Sequence, residues 1–298
     1  MLRYIREHLR VRTLFYVLIV VAVLTASFIF HRERASYNSD WHTVKYTNTK
    51  SLPDDIVNIK DTKERKDLFI RLLLPLILKA NEDIKRQRDT IERIQKKNKL
   101  SKKDKRTLES LATQYRIDNI TAKDSMAVIS ELLLRIDVIP VSLVLAQAAK
   151  ESGWGSSRFA RQGNNIFGLR TLSNNGIVPF YRGTDRVFKI SLFDDLQSCV
   201  NFYMFTINTH PAYEELRYIR SAMARPSVCT LQAHSYDSIA LAQGLNRFSE
   251  RGSVYAKEIQ DLIKHNRLER YDRCKLTHRM GIWGFKQGLK WLKDLFRG

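Results

Sequence analysis

Residues 140–155 have the sequence PVSLVLAQAAKESGWG, and this segment predicts the centre of the fold. Pro140 suits the first turn of a helix, and the residues after it are apolar on almost every face, so the helix must be buried. Gly153 and Gly155 should end this helix. We therefore expect a buried helix that carries Glu151 on its last turn.

Glu151 is the candidate catalytic residue of this segment. Burial disfavours a charged carboxylate, and the negative end of the helix dipole acts in the same direction, so both should raise the pKa of Glu151. A carboxylic acid that keeps its proton near neutral pH can act as a general acid. The alternative is an exposed glutamate at a helix end, which any helix can have.

The hydrophobic pattern on both sides of this helix predicts a mostly helical α+β protein. Before it, we expect a helix over 63–98 that Pro75 kinks or divides, a short helix that begins with an N-cap near Ser101, and a helix over 124–134. After it, the β-prone runs 177–181 and 186–190 predict a hairpin. Three more helices are expected over 194–206, 238–245 and 253–266.

The motif at residues 146–157, AQAAKESGWGSS, is followed by Asn165-Ile166-Phe167-Gly168. This combination resembles the glucosaminidase family of peptidoglycan hydrolases, glycoside hydrolase family 73. The strings at 208–213 and 248–252 resemble one bacterial member of that family. The resemblance covers residues 136–272. It implies a lysozyme-like helical domain with a small β-hairpin lobe, which cleaves the β-1,4 bond after N-acetylglucosamine in peptidoglycan glycan strands.

The resemblance also implies roles for individual residues. Glu151 falls on the catalytic acid, and Tyr255 matches an aromatic residue that lines the cleft, although its spacing also fits core packing. For the second catalytic group Asp185 is the first choice and Glu250 the second, and neither is needed if the acetamido group of the sugar acts as nucleophile. The candidate substrate-binding residues are Trp154, Asn165, Phe167 and Tyr213, with core packing as the alternative for Phe167.

Residues 14–30 (LFYVLIVVAVLTASFIF) carry no charge and follow four arginines, which predicts a membrane anchor within residues 1–34. The alternatives are a cleavable signal peptide and a buried core helix. An anchor with its N-terminus in the cytoplasm predicts a single-pass protein of the bacterial inner membrane whose catalytic domain faces the periplasm. A linker (35–62) and a helical segment (63–135) would then precede the domain at 136–272.

The chain has 51 Lys and Arg against 31 Asp and Glu, a formal net charge of +20, but only +3 of it belongs to residues 136–272. Residues 93–106 alone hold eight basic residues and one acid. Because the domain is nearly neutral and the basic run lacks interleaved aromatics, the sequence argues against nucleic-acid binding. The basic tail at 273–298 repeats apolar residues at helical spacing, which predicts an interfacial helix on anionic lipid or packing against the domain.

Other residue types limit the chemistry. With Cys199, Cys229 and Cys274, at most one intramolecular disulfide can form, and we expect Cys199 with Cys229. No Cys-x-x-Cys or His-x-x-x-His occurs, so the sequence predicts no metal site and no cofactor. Two alternatives to a hydrolase remain, a lytic transglycosylase and a non-catalytic glycan-binding or scaffold protein of the cell envelope.

Overall fold

Helices dominate the part of the chain that the computed structural model describes, which comprises residues 43–120, 124–172, 176–178, 188–223, 236–248 and 251–277. Within these residues the α-helices are α1 (Thr62–Gln95), α2 (Lys102–Gln114), α3 (Ser125–Arg135), α4 (Val141–Ser152), α5 (Arg158–Gly163), α6 (Leu196–Thr209), α7 (Glu214–Met223), α8 (Ser238–Leu241) and α9 (Ser253–His265). Short 3-10 helices are found at Asp54–Asn58, Pro211–Tyr213, Ala242–Leu245 and Leu268–Arg273. The expected mostly helical α+β class is confirmed.

Small sheets accompany these helices. Their strands are β1 (Thr43–Val44), β2 (Arg170–Thr171), β3 (Gly176–Ile177), β4 (Lys189–Ser191) and β5 (Lys275–Leu276). β1 pairs with β5, while β4 lies between β2 and β3 and is antiparallel to both. Ile177 faces Ile190 in this register, as a hairpin requires, and the turn of the predicted hairpin lies outside the described residues. β2 is an additional strand that the sequence pattern did not predict.

The central helix α4 is buried, as its sequence predicts. Every residue from Val141 to Ala149 is buried, and α4 packs against α1, α9 and the 3-10 helix Leu268–Arg273. Pro140 makes no side-chain cap at its start. Asp272 supplies the cap from a distant part of the chain, because its carboxylate accepts the N–H of Ser142 at 2.8 Å and the hydroxyl of Ser142 at 2.6 Å. Gly153, in the left-handed region at φ +58°, ends the helix.

Helix α1 runs without a break through Pro75. It begins after Asp61, whose side chain accepts the N–H of Lys63 at 2.8 Å. The sequence predicted that Pro75 kinks or divides this helix, and the division is wrong, because α1 is continuous over its 34 residues. A proline inside a helix costs about 3 kcal/mol or more. Pro75 lies within a buried run, residues 73–78, where each large apolar side chain contributes about 1.5–3 kcal/mol, so packing against α4 and α6 outweighs that cost.

The segment before α1 is part of the core. The sequence predicted a linker over 35–62, but Leu52 and Ile56 are 2% and 0% exposed. A Cβ at Gly155 would lie only 3.0 Å from the Cδ1 atoms of both residues, so they fill the space that this glycine leaves. The linker prediction is therefore wrong for this stretch. The chain divides into a unit of residues 1–43 and a unit of 44–298, so the helices of 63–135 belong to the same unit as α4.

Some predictions concern segments that the structure does not describe. The apolar stretch at 14–30 and the tail from residue 278 lie outside the described residues. None of the described helices is both long and apolar enough to cross a membrane.

Cys199 lies within the described residues, on α6. It is a free thiol with 0% exposure, so the predicted disulfide between Cys199 and Cys229 is wrong.

Candidate active site

Glu151 lies at the end of α4, where the chain turns sharply away. The three residues Gly153, Trp154 and Gly155 all have positive φ, from +57° to +82°. Glu151 is half-buried, and burial raises the pKa of its carboxyl above 4.5. A hydrogen bond from Tyr255 opposes this shift, as do the charges of Lys150 and Arg170. A carboxyl group with a raised pKa at the protein surface can hold a proton and deliver it to a bound molecule.

A chain of hydrogen bonds leads from the interior to Glu151. The hydroxyl of Tyr203 donates to Oε1 of Gln147. Nε2 of Gln147 then donates to the hydroxyl of Tyr255 at 3.1 Å, and that hydroxyl donates to Oε1 of Glu151 at 2.8 Å. Gln147 is one helical turn before Glu151 on α4, and Tyr203, Gln147 and Tyr255 are all at most 3% exposed. Helices α4, α6 and α9 each supply part of this chain.

The loop at residues 165–169 forms a wall beside the carboxyl group. Asn165 holds the loop: Nδ2 donates to the carbonyls of Leu169 and Ser191 at 2.9 Å, and Oδ1 accepts the N–H of Leu169 at 2.9 Å. Phe167 is buried and stacks on Tyr203, with ring centroids 3.7 Å apart. Gly168, at φ +65°, faces the acid, since a Cβ there would lie 3.4 Å from Oε2 of Glu151. Asn165 and Phe167 thus shape the wall, and their substrate-binding roles remain predictions.

A group of aromatic side chains lies on the α9 side of Glu151. The ring of Phe248 is 4.8 Å from that of Tyr255 and 5.8 Å from that of Tyr213, measured between centroids. Tyr213 is 3% exposed, and its pKa is raised by burial and by the charge of Glu151. The structure therefore places Tyr213 and Tyr255 near the acid, and both remain candidate site residues.

Trp154 has different surroundings. Its ring meets Phe69 of α1 edge-on at 5.8 Å, and Nζ of Lys66 lies 4.9 Å from its ring centroid. It lines an open groove of about 500 Å³ together with Lys150 and Glu258, which form an ion pair at 2.9 Å. The sugar-stacking role of Trp154 stays a prediction.

The second catalytic group is not resolved by this geometry, because Asp185 and Glu250 lie outside the described residues. Sequence reasoning also missed members of the site. Gln147 belongs to the motif at residues 146–157, and its spacing of four residues from Glu151 places both on one helix face. Arg170 on β2 and Tyr203 on α6 gave no sequence signal, since only the fold brings them to Glu151.

Part of the chain is similar to known proteins. Residues 127–268 match the family described as glucosaminidase, mannosyl-glycoprotein endo-beta-N-acetylglucosaminidase. The chain is similar to Protein bax of Escherichia coli (strain K12), with 27% identity over 218 residues that cover 73% of this chain and 75% of that protein. It also resembles the catalytic domain of the autolysin Auto from Listeria monocytogenes at 17% identity, over 63% of this chain and 96% of that one, but the TM-score of 0.34 is too low to support an argument. Residues 127–268 therefore match the glucosaminidase family over just under half of the chain, and the chain as a whole is similar to Protein bax.

Proposed function

We propose that this protein is a peptidoglycan hydrolase that cleaves the β-1,4 bond after N-acetylglucosamine, with Glu151 as the general acid. The proposal rests on one observation. Glu151, at the end of α4, is half-buried and has a raised pKa, and the hydroxyl of Tyr255 donates to Oε1 of its carboxyl. The family match supports a glycosidase, and the peptidoglycan substrate follows the resemblance of the motif.

In this mechanism Glu151 gives its proton to the glycosidic oxygen while positive charge develops on the sugar ring. The carboxyl must be protonated before the step, and burial favours that form. Two ways remain to stabilise the developing charge. A second carboxylate, Asp185 or Glu250, can act on the ring, or the acetamido group of the substrate can attack the anomeric carbon itself.

Zymography on purified peptidoglycan tests this function. Wild type should clear the gel, and Glu151→Gln should not, because an amide cannot donate the proton. Glu109→Gln is the matched control, since Glu109 is an exposed glutamate on α2, and it should stay fully active. An inactive wild type, or a Glu151→Gln variant as active as wild type, would refute the proposed role and favour a glycan-binding protein.

Mass spectrometry of the released fragments identifies the reaction. A hydrolase leaves a reducing N-acetylglucosamine end, whereas an anhydro-muramyl end would identify a lytic transglycosylase and overturn the hydrolase. The pH dependence is a further check. Because Glu151 must be protonated, activity should fall as the pH rises through its raised pKa, and the loss should begin above the ordinary value for glutamate.

We also propose that residues 14–30 anchor the protein in the bacterial inner membrane with the domain in the periplasm, and that the tail at 273–298 binds anionic lipid. Sequence alone supports both ideas. A peptide of residues 273–298 should sediment with vesicles that contain anionic phospholipid and remain in solution with zwitterionic vesicles. Equal sedimentation with anionic and zwitterionic vesicles would contradict the proposed binding to anionic lipid.

A further inference from the structure

The hydrogen-bond chain behind Glu151 has one direction, and the side-chain amide of Gln147 sets it. An amide nitrogen only donates and an amide oxygen only accepts, whereas a tyrosine hydroxyl does either. In the structure Nε2 of Gln147 faces Tyr255 and Oε1 faces Tyr203. If the amide were reversed, Oε1 would accept the proton of Tyr255 and withdraw it from Glu151. The observed orientation leaves the Tyr255 proton for Oε1 of Glu151.

We propose that Gln147 is a positioning residue that directs the acid proton of Glu151 to Oε2, the oxygen beside Gly168. This inference rests on the proposed function and specifies which atom of the acid acts. Oε1 already accepts the hydroxyl of Tyr255, so a proton on the carboxyl group is better placed on Oε2. Within the described residues the side-chain hydrogen bond to this carboxyl comes from Tyr255 to Oε1, and Gly168 lies beside Oε2 without a side chain that would block it. The glycosidic oxygen therefore meets the acid from the Gly168 side.

Tyr203 links this orientation to the wall of the site. It is 1% exposed, and its hydroxyl holds Oε1 of Gln147 while its ring stacks on Phe167 at an interplanar angle of 6°. Phe167 directly precedes Gly168 in the chain. One buried side chain thus fixes both the amide that orients the proton and the loop beside the oxygen that carries it.

A titration of Glu151 tests the inference without requiring catalysis. The charged and titratable groups that act on Glu151 from the described elements are Lys150 on α4, Arg170 on β2, Tyr203 on α6, Tyr213 on its 3-10 helix and Tyr255 on α9. Of these, Tyr255 lowers the pKa of Glu151 through its hydrogen bond. Gln147 strengthens that bond by donating to the same hydroxyl, because hydrogen bonds in a chain polarise one another.

The pKa of Glu151 would be measured by carbon-13 NMR of the labelled carboxyl group, assigned with Glu151→Gln. Tyr255→Phe should raise it by about one unit or more, the amount expected for loss of a hydrogen bond to a charged group. Gln147→Leu should raise it by less, on the order of 10–30% of that shift, which is the strengthening that one hydrogen bond gives the next in a chain. The double variant should match Tyr255→Phe alone, because Gln147 acts through Tyr255. Gln260→Leu, which removes another half-buried amide near Tyr255 on α9, should leave it unchanged.

An unchanged pKa in Gln147→Leu, or shifts that add in the double variant, would overturn the inference. Gln147→Leu leaves the hydroxyl of Tyr203 without its acceptor, so the pair Gln147→Leu and Tyr203→Phe provides a variant with no orphaned group. It should give the same shift as Gln147→Leu. On peptidoglycan, Gln147→Leu should lower kcat with little change in KM, because the variant affects proton delivery and not substrate binding. If wild type proves inactive, the proposed function fails, while the titration still decides the role of Gln147.

Discussion

Replacing Asp272 by asparagine tests how the helix that carries the acid is held. Asp272 caps α4 through the N–H and the hydroxyl of Ser142. Burial raises the pKa of Asp272 from 3.8 to about 6, even though the hydrogen bonds from Ser142 act in the opposite direction. Ionisation of Asp272 therefore destabilises the folded protein, and an amide of the same shape does not ionise.

The size and sign of this effect follow from linkage. Because the pKa is higher in the folded than in the unfolded protein, the stability contributed by Asp272 is fully present below pH 3.8 and is lost as the pH rises through about 6. A difference of about two pKa units corresponds to about 3 kcal/mol in the free energy of unfolding. Asparagine cannot ionise and keeps one acceptor for Ser142, so the variant does not lose this amount.

Urea unfolding followed by circular dichroism would measure both proteins at about pH 4, 6 and 8. We expect the free energy of unfolding of Asp272→Asn, relative to that of wild type, to rise by up to about 3 kcal/mol between the lowest and the highest pH. All other titrating groups are shared, so the difference isolates Asp272. Asp124→Asn, at the exposed N-cap of α3, controls for exchanging a capping carboxylate for an amide. If the wild-type protein instead becomes more stable relative to the variant as the pH rises, the reasoning is refuted. The helix N-terminus and Ser142 would then stabilise the carboxylate more than burial destabilises it.

Other substitutions and reagents test the packing around the site. Gly244→Ala would place a Cβ 2.4 Å from the backbone Cα of Leu216, so we expect a loss of about 2 kcal/mol or more in urea unfolding, and an unchanged midpoint would contradict this contact. Burial raises the pKa of the Cys199 thiol to about 12, so iodoacetamide should modify it at least about tenfold more slowly in the native protein than in urea, as read by peptide mass spectrometry. Arg220, with 0% exposure, donates to Asn208 at 2.8 Å and to the backbone carbonyls of residues 134, 135, 137 and 138. Arg220→Met should therefore lose about 3–5 kcal/mol, and a thermal midpoint equal to wild type would show that this network contributes little.

The helices that could be predicted from the sequence are those with local signals at their ends. Ser101 forms a capping box with Asp104 at the start of α2, and Asp124 caps α3 by accepting the N–H of Ala127. Pro140 and Gly153 bound α4 where the sequence placed them. Caps and glycine ends act within a few residues, so a single sequence contains all the information they need.

The features that the sequence did not predict correctly depend on contacts between distant segments. Nothing near Leu52 or Ile56 indicates that a glycine about a hundred residues later leaves room for them. In the same way, Pro140 carries no cap of its own, and the residue that caps α4 lies 130 positions away. Pro75 breaks an isolated helix, but burial on several sides keeps α1 continuous. Such outcomes depend on tertiary packing, which local pattern does not encode.

At the site, the sequence predicted Glu151 and the direction of its pKa shift, because both follow from the position of an acid at the end of a buried helix. The neighbourhood of Tyr255 came from the family resemblance, and the structure adds the hydrogen bond that joins the two side chains. The role of Gln147 could not be predicted, since its spacing shows which face it shares but not that two tyrosines hold its amide.

The pairing of β1 with β5 has a topological consequence. The N–H of Thr277 donates to the carbonyl of Val44 at 2.8 Å, so the first and last described strands are tied side by side. The two ends of the described part of the larger unit therefore lie next to each other. A short peptide joining these two strands would convert the unit into a ring, and new termini could be opened at an exposed turn elsewhere without crossing the core.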